Sequence, residues 1–340
     1  MAKKILVTGG TGYIGSHTTV ELQQAGYEVV IIDNLSNSNA SVLDGIEGIT
    51  GRRPVFVEAD VTDRAALRKL FEDNPGIEGI IHFAASKAVG ESVEKPILYY
   101  RNNLNSLMNL LELMPEFGVK GIVFSSSCTV YGEPDTNPID ETAPIKPATS
   151  PYGNTKQICE EIIRDYIHAV KGVKSILLRY FNPVGAHPSA LIGELPNGVP
   201  NNLVPYITQT AAGIRKELTV FGDDYDTPDG SCIRDFIDVV DLAKAHVVAM
   251  QRMLCKDTDA VEVFNLGTGR GVSVLELIDT FEKVNGVKVP HRIGPRREGD
   301  IEKIWAEPRK ANEVLGWKAV VPVAETLANT WRWQQHLDGK

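Results

Sequence analysis

Tyr152 and Lys156 stand four residues apart in Y-G-N-T-K, a spacing that puts a phenol and an ammonium on one face of a helix. A phenol with its ordinary pKa of about 10 is a poor base at neutral pH, but nearby positive charge favours phenolate and makes it a usable proton acceptor. Ser125-Ser126-Ser127 closes the apolar run Ile122-Val123-Phe124 a little upstream. There Ser127 is suited to hydrogen-bond and align the same substrate hydroxyl, so that proton removal and the chemistry beside it become one organised step. Neither feature suffices alone, because Y-x-x-x-K is short and a serine run also caps strand ends.

Their setting is supplied by Lys4 to Gly15, K-I-L-V-T-G-G-T-G-Y-I-G, an apolar strand running into glycines. Gly9, Gly12 and Gly15 would give a tight turn, a close backbone approach to a pyrophosphate, and close packing of the next helix, which is expected over 13–25. Gly10-Thr11-Gly12-Tyr13-Ile14-Gly15 also fits G-x-G-x-x-G, so the spacing does not choose between dinucleotide-binding subfamilies. A second strand, Glu28 to Asp33, ends in an acid about 20 residues past the glycines, where a carboxylate binds ribose hydroxyls. Asp33 would repel a 2′-phosphate and no Arg adjoins it, which favours NAD over NADP.

Short apolar strands then alternate with amphipathic segments: Val55 to Val57, a helix over 63–74, Gly79 to Phe83, a long segment from Ile97 to Phe117, Ile122 to Phe124, a helix over 152–169, and Ser175 to Tyr180. Six such repeats predict an α/β fold, a doubly wound parallel sheet of Rossmann type with helices on both faces. Its ligands would lie beyond the strands' carboxyl ends, at Thr8, Asp33, Asp60, Ala84, Ser125 and Tyr180. After Tyr180 the texture changes, and 182–202 reads as a long functional loop rich in Pro, Gly and Asn. The expected organisation is an NAD-binding domain over 1–180, with 236–266 returning to it, and a smaller, discontinuous substrate domain over 181–235 and 267–340.

The 340 residues are 43% hydrophobic and 23% charged, as a globular protein requires, with net charge −9. The acidic balance and lack of a basic run argue against nucleic acid or an anionic membrane as partner. The first strand begins within four residues of the start, which argues against a signal peptide, and no run of about 18 apolar residues is present. Cys128, Cys159, Cys232 and Cys255 are scattered and the seven His dispersed, so reduced thiols, a cytoplasmic location and no catalytic metal are expected.

Taken together, T-G-x-x-G-Y-I-G, S-S-S-x-x-V-Y-G and Y-x-x-x-K resemble the extended short-chain dehydrogenase/reductase family, and within it the nucleotide-sugar 4-epimerases. The resemblance covers nearly the whole length. It takes in D-N-L-S-N-S at Asp33 to Ser38, F-A-A-S-K-A-V-G-E-S at Phe83 to Ser92, R-Y-F-N-P-V-G-A-H-P-S at Arg179 to Ser189, P-N-N-L at Pro200 to Leu203, R-D-F-I at Arg234 to Ile237 and R-R-E-G-D at Arg296 to Asp300.

It implies that NAD is held by Gly9, Gly12, Tyr13, Ile14, Gly15, Asp33, Asn34, Asn37, Ser38, Asp60, Lys87, Asn102 and Tyr180, with Lys156 also on the nicotinamide ribose. Ser127 and Tyr152 would meet the sugar. Asn182, Asn202, Phe221, Arg234, Arg297 and Asp300 would hold UDP, the arginines matching diphosphate oxygens. Ile304 departs from the family pattern, as do Ser86 and Cys128, and falls where the wall facing the hexose C2 substituent is expected. The implied reaction is inversion of C4 in a UDP-hexose, UDP-glucose and UDP-galactose being the expected pair. A homodimer through the helices beginning near Ile97 and Tyr152 is also implied. A dehydratase of the same fold would carry an Asp-Glu pair where this chain has Cys128-Thr129, and a non-catalytic NAD-binding module would lack Tyr152 or Lys156.

Overall fold

The computed structural model describes residues 2–255, 257–297 and 300–339. Six strands follow one another in the first half: β1 (Lys4–Thr8), β2 (Glu28–Asp33), β3 (Val55–Glu58), β4 (Ile77–His82), β5 (Gly121–Ser127) and β6 (Lys174–Tyr180). Between them run α1 (Tyr13–Gln24), α2 (Val42–Thr50), α3 (Arg64–Asp73), α4 (Val89–Glu94), α5 (Pro96–Leu113) and α6 (Pro151–Ala169). The second half contains β7 (Asn182–Val184), α7 (Leu203–Ala211), β8 (Leu218–Phe221), β9 (Ile233–Arg234), β10 (Phe236–Asp238), α8 (Val239–Cys255) and β11 (Val261–Leu266). It closes with β12 (Val272–Ser273), α9 (Val274–Asn285), β13 (His291–Gly294), β14 (Lys303–Ile304) and α10 (Val323–Leu337).

The main sheet has seven strands in the order β11-β6-β5-β4-β1-β2-β3, and every neighbouring pair is parallel. Side chains alternate between its faces, and the apolar core divides accordingly. Ile5, Val7, Ile31, Val123 and Leu178 point to one side, where Val20 and Leu22 of α1 and Leu242, Ala245 and Met250 of α8 cover them. Leu6, Val30, Ile80, Ile122, Phe124 and Leu177 point to the other, against Leu67 and Phe71 of α3, Leu107 and Leu110 of α5, and Cys159 and Ile163 of α6. A strand buried on both faces needs an uninterrupted apolar run, and each buried Ile, Leu or Val contributes roughly 1.5–3 kcal/mol.

The chain winds outward from β1 through β2 and β3 in one direction and from β4 to β11 in the other, so order reverses between β1 and β4. A crevice at the strands' carboxyl ends forms at such a point. Above it sits a smaller group of elements, with β7 paired to β10, β8 to β13, and β9 between β12 and β14. Val184, Ile207, Val220, Phe236, Leu277, Phe281 and Leu327 form its core. Among the described residues no helix is long and apolar enough to cross a membrane, and no cluster of His, Cys, Asp or Glu is arranged to hold a metal ion. All four cysteines are free, and only Cys255 is exposed.

Candidate active site

Helix α6 begins at a defined place. Ser150 adopts an extended backbone and its hydroxyl accepts from Gly153 N at 3.2 Å, while Pro151 occupies the first turn without forfeiting a hydrogen bond. This start directs Tyr152 and Lys156 toward the ends of β5 and β6. The Tyr152 hydroxyl bonds to Ser127, and Lys156 Nζ donates to the Ser125 carbonyl at 2.6 Å, lying 5.8 Å from the centre of the Tyr152 ring. Ser125 Oγ is bonded to the Tyr180 hydroxyl across neighbouring strands.

Burial governs the charge states here. It pushes the Tyr152 phenol well above its usual value, reinforced by Tyr180 and only partly offset by the Ser127 bond. It pushes Lys156 down to about 8, with Cys159 and Glu160 acting in the opposite sense. Sequence reasoning expected the lysine to help draw the phenol down. In the protein alone desolvation of the buried phenol dominates, and the ammonium bonds the Ser125 carbonyl rather than the phenol.

The glycine loop lies alongside. Gly9 has φ +70°, and a Cβ there would come within 2.9 Å of Ala84 N. A Cβ on Gly15 would collide with the Gly9 carbonyl oxygen, so the turn and α1 close up only because these positions lack side chains. Asp33 Oδ2 accepts from Thr11 N at 3.2 Å, and Oδ1 accepts from Leu35 N at 2.9 Å and Ser38 Oγ at 3.1 Å. Three bonds leave a carboxylate one acceptor direction free beside the loop, which fits a ribose hydroxyl. Next to it Asn34 donates to Asp60 at 2.8 Å, and Asp60 accepts from the backbone and hydroxyl of Thr62. Burial opposes ionisation of Asp60, but these bonds prevail and hold its carboxyl below the usual range.

Tyr13 donates to the Gly185 carbonyl at 2.7 Å, Ile14 packs on the core, and Asn37 is exposed on the turn beyond Asp33. Asn102 donates to Ser86 Oγ at 3.1 Å, beside Lys87.

On the other wall, Arg297 makes a bidentate pair with Asp300, with Nη2 to Oδ1 at 2.6 Å, and lies 5.5 Å over the half-exposed Phe221 ring. Arg234 Nη2 approaches the same Asp300 oxygen at 3.8 Å. Arg296 turns away to Asp224 at 2.7 Å. Asn182 begins β7, Asn202 stands just before α7, and Glu298 and Gly299 lie outside the described residues. Ile304 is 3% exposed and packs with Cys128 and Phe181, the residues that follow Ser127 and Tyr180. It therefore backs the segments that carry the hydroxyls.

Three groups escaped sequence reasoning. Glu194 meets Asn202 Nδ2 at 2.5 Å and Lys87 Nζ at 3.7 Å, and burial raises its carboxyl above the usual range. A lone acid in a Pro/Gly-rich loop carries no spacing signal. Thr129 Oγ1 is buried with no hydrogen-bond partner among the described residues, two residues past Ser127. Glu160 lies four residues beyond Lys156 on the same helical stripe, a spacing visible in the sequence.

Residues 5–267 match the NAD dependent epimerase/dehydratase family. Over 331 residues the chain is 54% identical to the UDP-glucose 4-epimerase of Bacillus subtilis, covering 97% of this chain and 96% of that one. It is 49% identical over 341 residues to the human UDP-glucose 4-epimerase, covering 98% and 97%. The crystal structure of the Stenotrophomonas maltophila UDP-glucose 4-epimerase with bound NAD and formylated UDP-arabinopyranose superposes with a TM-score of 0.95 at 50% identity over 99% of each chain. The Bifidobacterium longum enzyme in complex with NAD+ and UDP does so with a TM-score of 0.94 at 48% identity over 98% of each.

Proposed function

The chain belongs to the NAD dependent epimerase/dehydratase family, and from that premise we propose that it inverts C4 of UDP-glucose and UDP-galactose, interconverting the two in galactose metabolism. The observation that carries this reading is the convergence of Tyr152, Lys156 and Ser127 at the ends of β5 and β6, on the same edge of the sheet as the glycine loop that follows β1. Bound NAD would supply the hydride acceptor for C4 and the hydride donor to the opposite face of the sugar, with none consumed overall.

The chain's own groups do the rest. Tyr152 takes the proton of the C4 hydroxyl and later gives it back, which general acid–base catalysis makes worth about 10²–10⁴ in rate. Ser127 holds that hydroxyl in line, and Lys156 keeps the α6 face fixed to β5 and reaches toward the nicotinamide ribose. Gly9, Gly12, Tyr13, Ile14 and Gly15 would hold the pyrophosphate of NAD, Asp33, Asn34, Asn37, Ser38 and Asp60 its adenosine half, and Lys87, Asn102 and Tyr180 the other.

Asn182, Asn202, Phe221, Arg234, Arg297 and Asp300 would hold UDP, the two arginines turning from Asp300 to the diphosphate and Asp300 meeting the uridine ribose. The division of labour follows: 1–180 with 236–266 serve NAD, and 181–235 with 267–340 serve the nucleotide sugar. Ile304 narrows the space for the C2 substituent by backing Cys128, which favours 2-hydroxyl sugars over 2-acetamido ones. The working form is a homodimer through α5 and α6 in the cytoplasm, its association supported by the exposed apolar side chains Ile97, Leu98 and Met108 on α5.

The decisive experiment is incubation of the purified protein with UDP-galactose. Conversion to UDP-glucose with no net NADH supports the assignment, and recovery of UDP-galactose unchanged, or of a dehydrated keto sugar, defeats it.

A further inference from the structure

Helix α6 carries Tyr152, Lys156 and Glu160 at successive four-residue intervals, so all three lie on one stripe. The first two reach the candidate site, whereas Glu160 is 5% exposed and makes its bonds inside the sheet. Its Oε1 accepts from Ser126 Oγ at 2.5 Å and from Arg179 Nε at 2.9 Å, and its Oε2 accepts from Arg179 Nη2 at 2.6 Å. Arg179, 4% exposed, donates onward to the Tyr131 hydroxyl at 3.0 Å, which donates to Asn265 Oδ1 at 2.7 Å. One carboxylate thus ties α6 to β5 and β6, and through Tyr131 to β11.

The place of these bonds in the sheet matters more than their number. Ser126 lies between Ser125, whose carbonyl takes the Lys156 ammonium, and Ser127, which bonds Tyr152. Ser126 is also in register with Arg179, the residue before Tyr180. Each anchor of Glu160 therefore stands one residue from a group that defines the site. Strand alternation sends Ser126 toward α6 while its neighbours face elsewhere, so the middle serine is free to hold the helix.

Buried ion pairs are poor devices for raising stability, since their desolvation offsets most of the attraction and apolar replacements often do as well. Their geometric demands are severe, and a bidentate Arg–carboxylate pair fixes both distance and angle. Building on the assignment of Tyr152 and Lys156 above, we infer that Glu160, clamped by Arg179 and Ser126, is a positioning residue for the epimerisation, setting the rotation and height of α6 at which Tyr152 and Lys156 meet the ends of β5. A catalytic group displaced by about 1 Å loses on the order of 10² in rate. The effect of losing the clamp therefore falls on turnover and spares binding.

The test compares wild type with Glu160→Gln/Arg179→Gln, which removes both buried charges together so that neither is left unpaired, using UDP-galactose as substrate and UDP titration for binding. The expected result is a folded protein with NAD content and UDP affinity within about twofold of wild type, and kcat lowered roughly 10- to 100-fold with KM unchanged. Ser126→Ala, which removes one hydroxyl and leaves the ion pair whole, is expected to lower kcat by about three- to tenfold at constant KM and serves if the double variant does not fold. Wild-type kcat in either folded variant, or a parallel loss of NAD and UDP binding, overturns the inference. Wild type that fails to epimerise UDP-galactose instead defeats the function proposed above, and the two failures are distinguishable.

Discussion

Tyr152 is neutral at pH 7 in the protein alone, since burial raises its pKa, while Lys156, lowered to about 8, still carries most of its charge. A cation placed against the phenol stabilises its ionised form, so Tyr152 is expected to ionise at lower pH with NAD bound than without. Ultraviolet titration of phenolate in both forms, with Tyr152→Phe as the blank, measures this, and identical curves would remove the cofactor's charge from the account. In the same variant kcat should fall about 10²–10⁴-fold while UDP binding persists. Ile304 tests a different property. Truncation to Ala opens a cavity among Cys128 and Phe181 and should cost about 2–5 kcal/mol of stability. The ratio of kcat/KM for UDP-galactose over UDP-N-acetylgalactosamine should fall from a starting discrimination of roughly 10–200-fold. A folded variant with an unchanged ratio removes Ile304 from the specificity argument.

The turn between β1 and α1 works as a unit. Gly15→Ala forces a Cβ onto the Gly9 carbonyl oxygen, so α1 must move off the strand and its amide end off the phosphates. The expected outcome is protein that purifies without NAD, checked by acid release and absorbance, and retention of full NAD would sink the cradle. This element was legible beforehand because its requirements are local: a strand buried on both faces must be apolar throughout, and a tight turn needs glycine. The same holds for β4, β5 and β6 and for α6, whose Tyr152–Lys156 stripe is set by helical periodicity alone. The two-residue strands β9, β12 and β14 carry no such signal, since partners distant in the chain specify them and Ile233, Val272 and Lys303 show no alternation to read. Helix α2 and the acceptor role of Glu194 were hidden for the same reason: each depends on what folds against it.

Across the whole molecule three imidazoles are buried beyond the reach of water. Burial lowers His17 and His82 to about 3 and His246 to about 4, although backbone acceptors at Tyr13 and Leu242 favour protonation of His17 and His246. Unfolded, each binds a proton near pH 6.5, so the unfolded state takes up more protons and stability falls with pH. The contribution is whole above about pH 6.5 and declines as pH drops toward 3, by about 1.4 kcal/mol per unit for each histidine. Urea midpoints at pH 7 and 5 should record this, and His246→Met should flatten the slope, whereas equal midpoints refute it. Association has its own check. If the proposed dimer forms through α5, Ile97, 66% exposed there, should on change to Glu yield a monomer by sedimentation, and an unaltered mass excludes this face from the proposed association. The pairing of β11 with β6 also bears on how the chain is made. Strand β6 is synthesised long before its outer neighbour, and until Val261–Leu266 emerges from the ribosome the nascent sheet presents Lys174–Tyr180 as a bare edge. Premature stop codons before β11 should therefore leave fragments that self-associate through that edge and call on chaperones, while those falling in α10 should not.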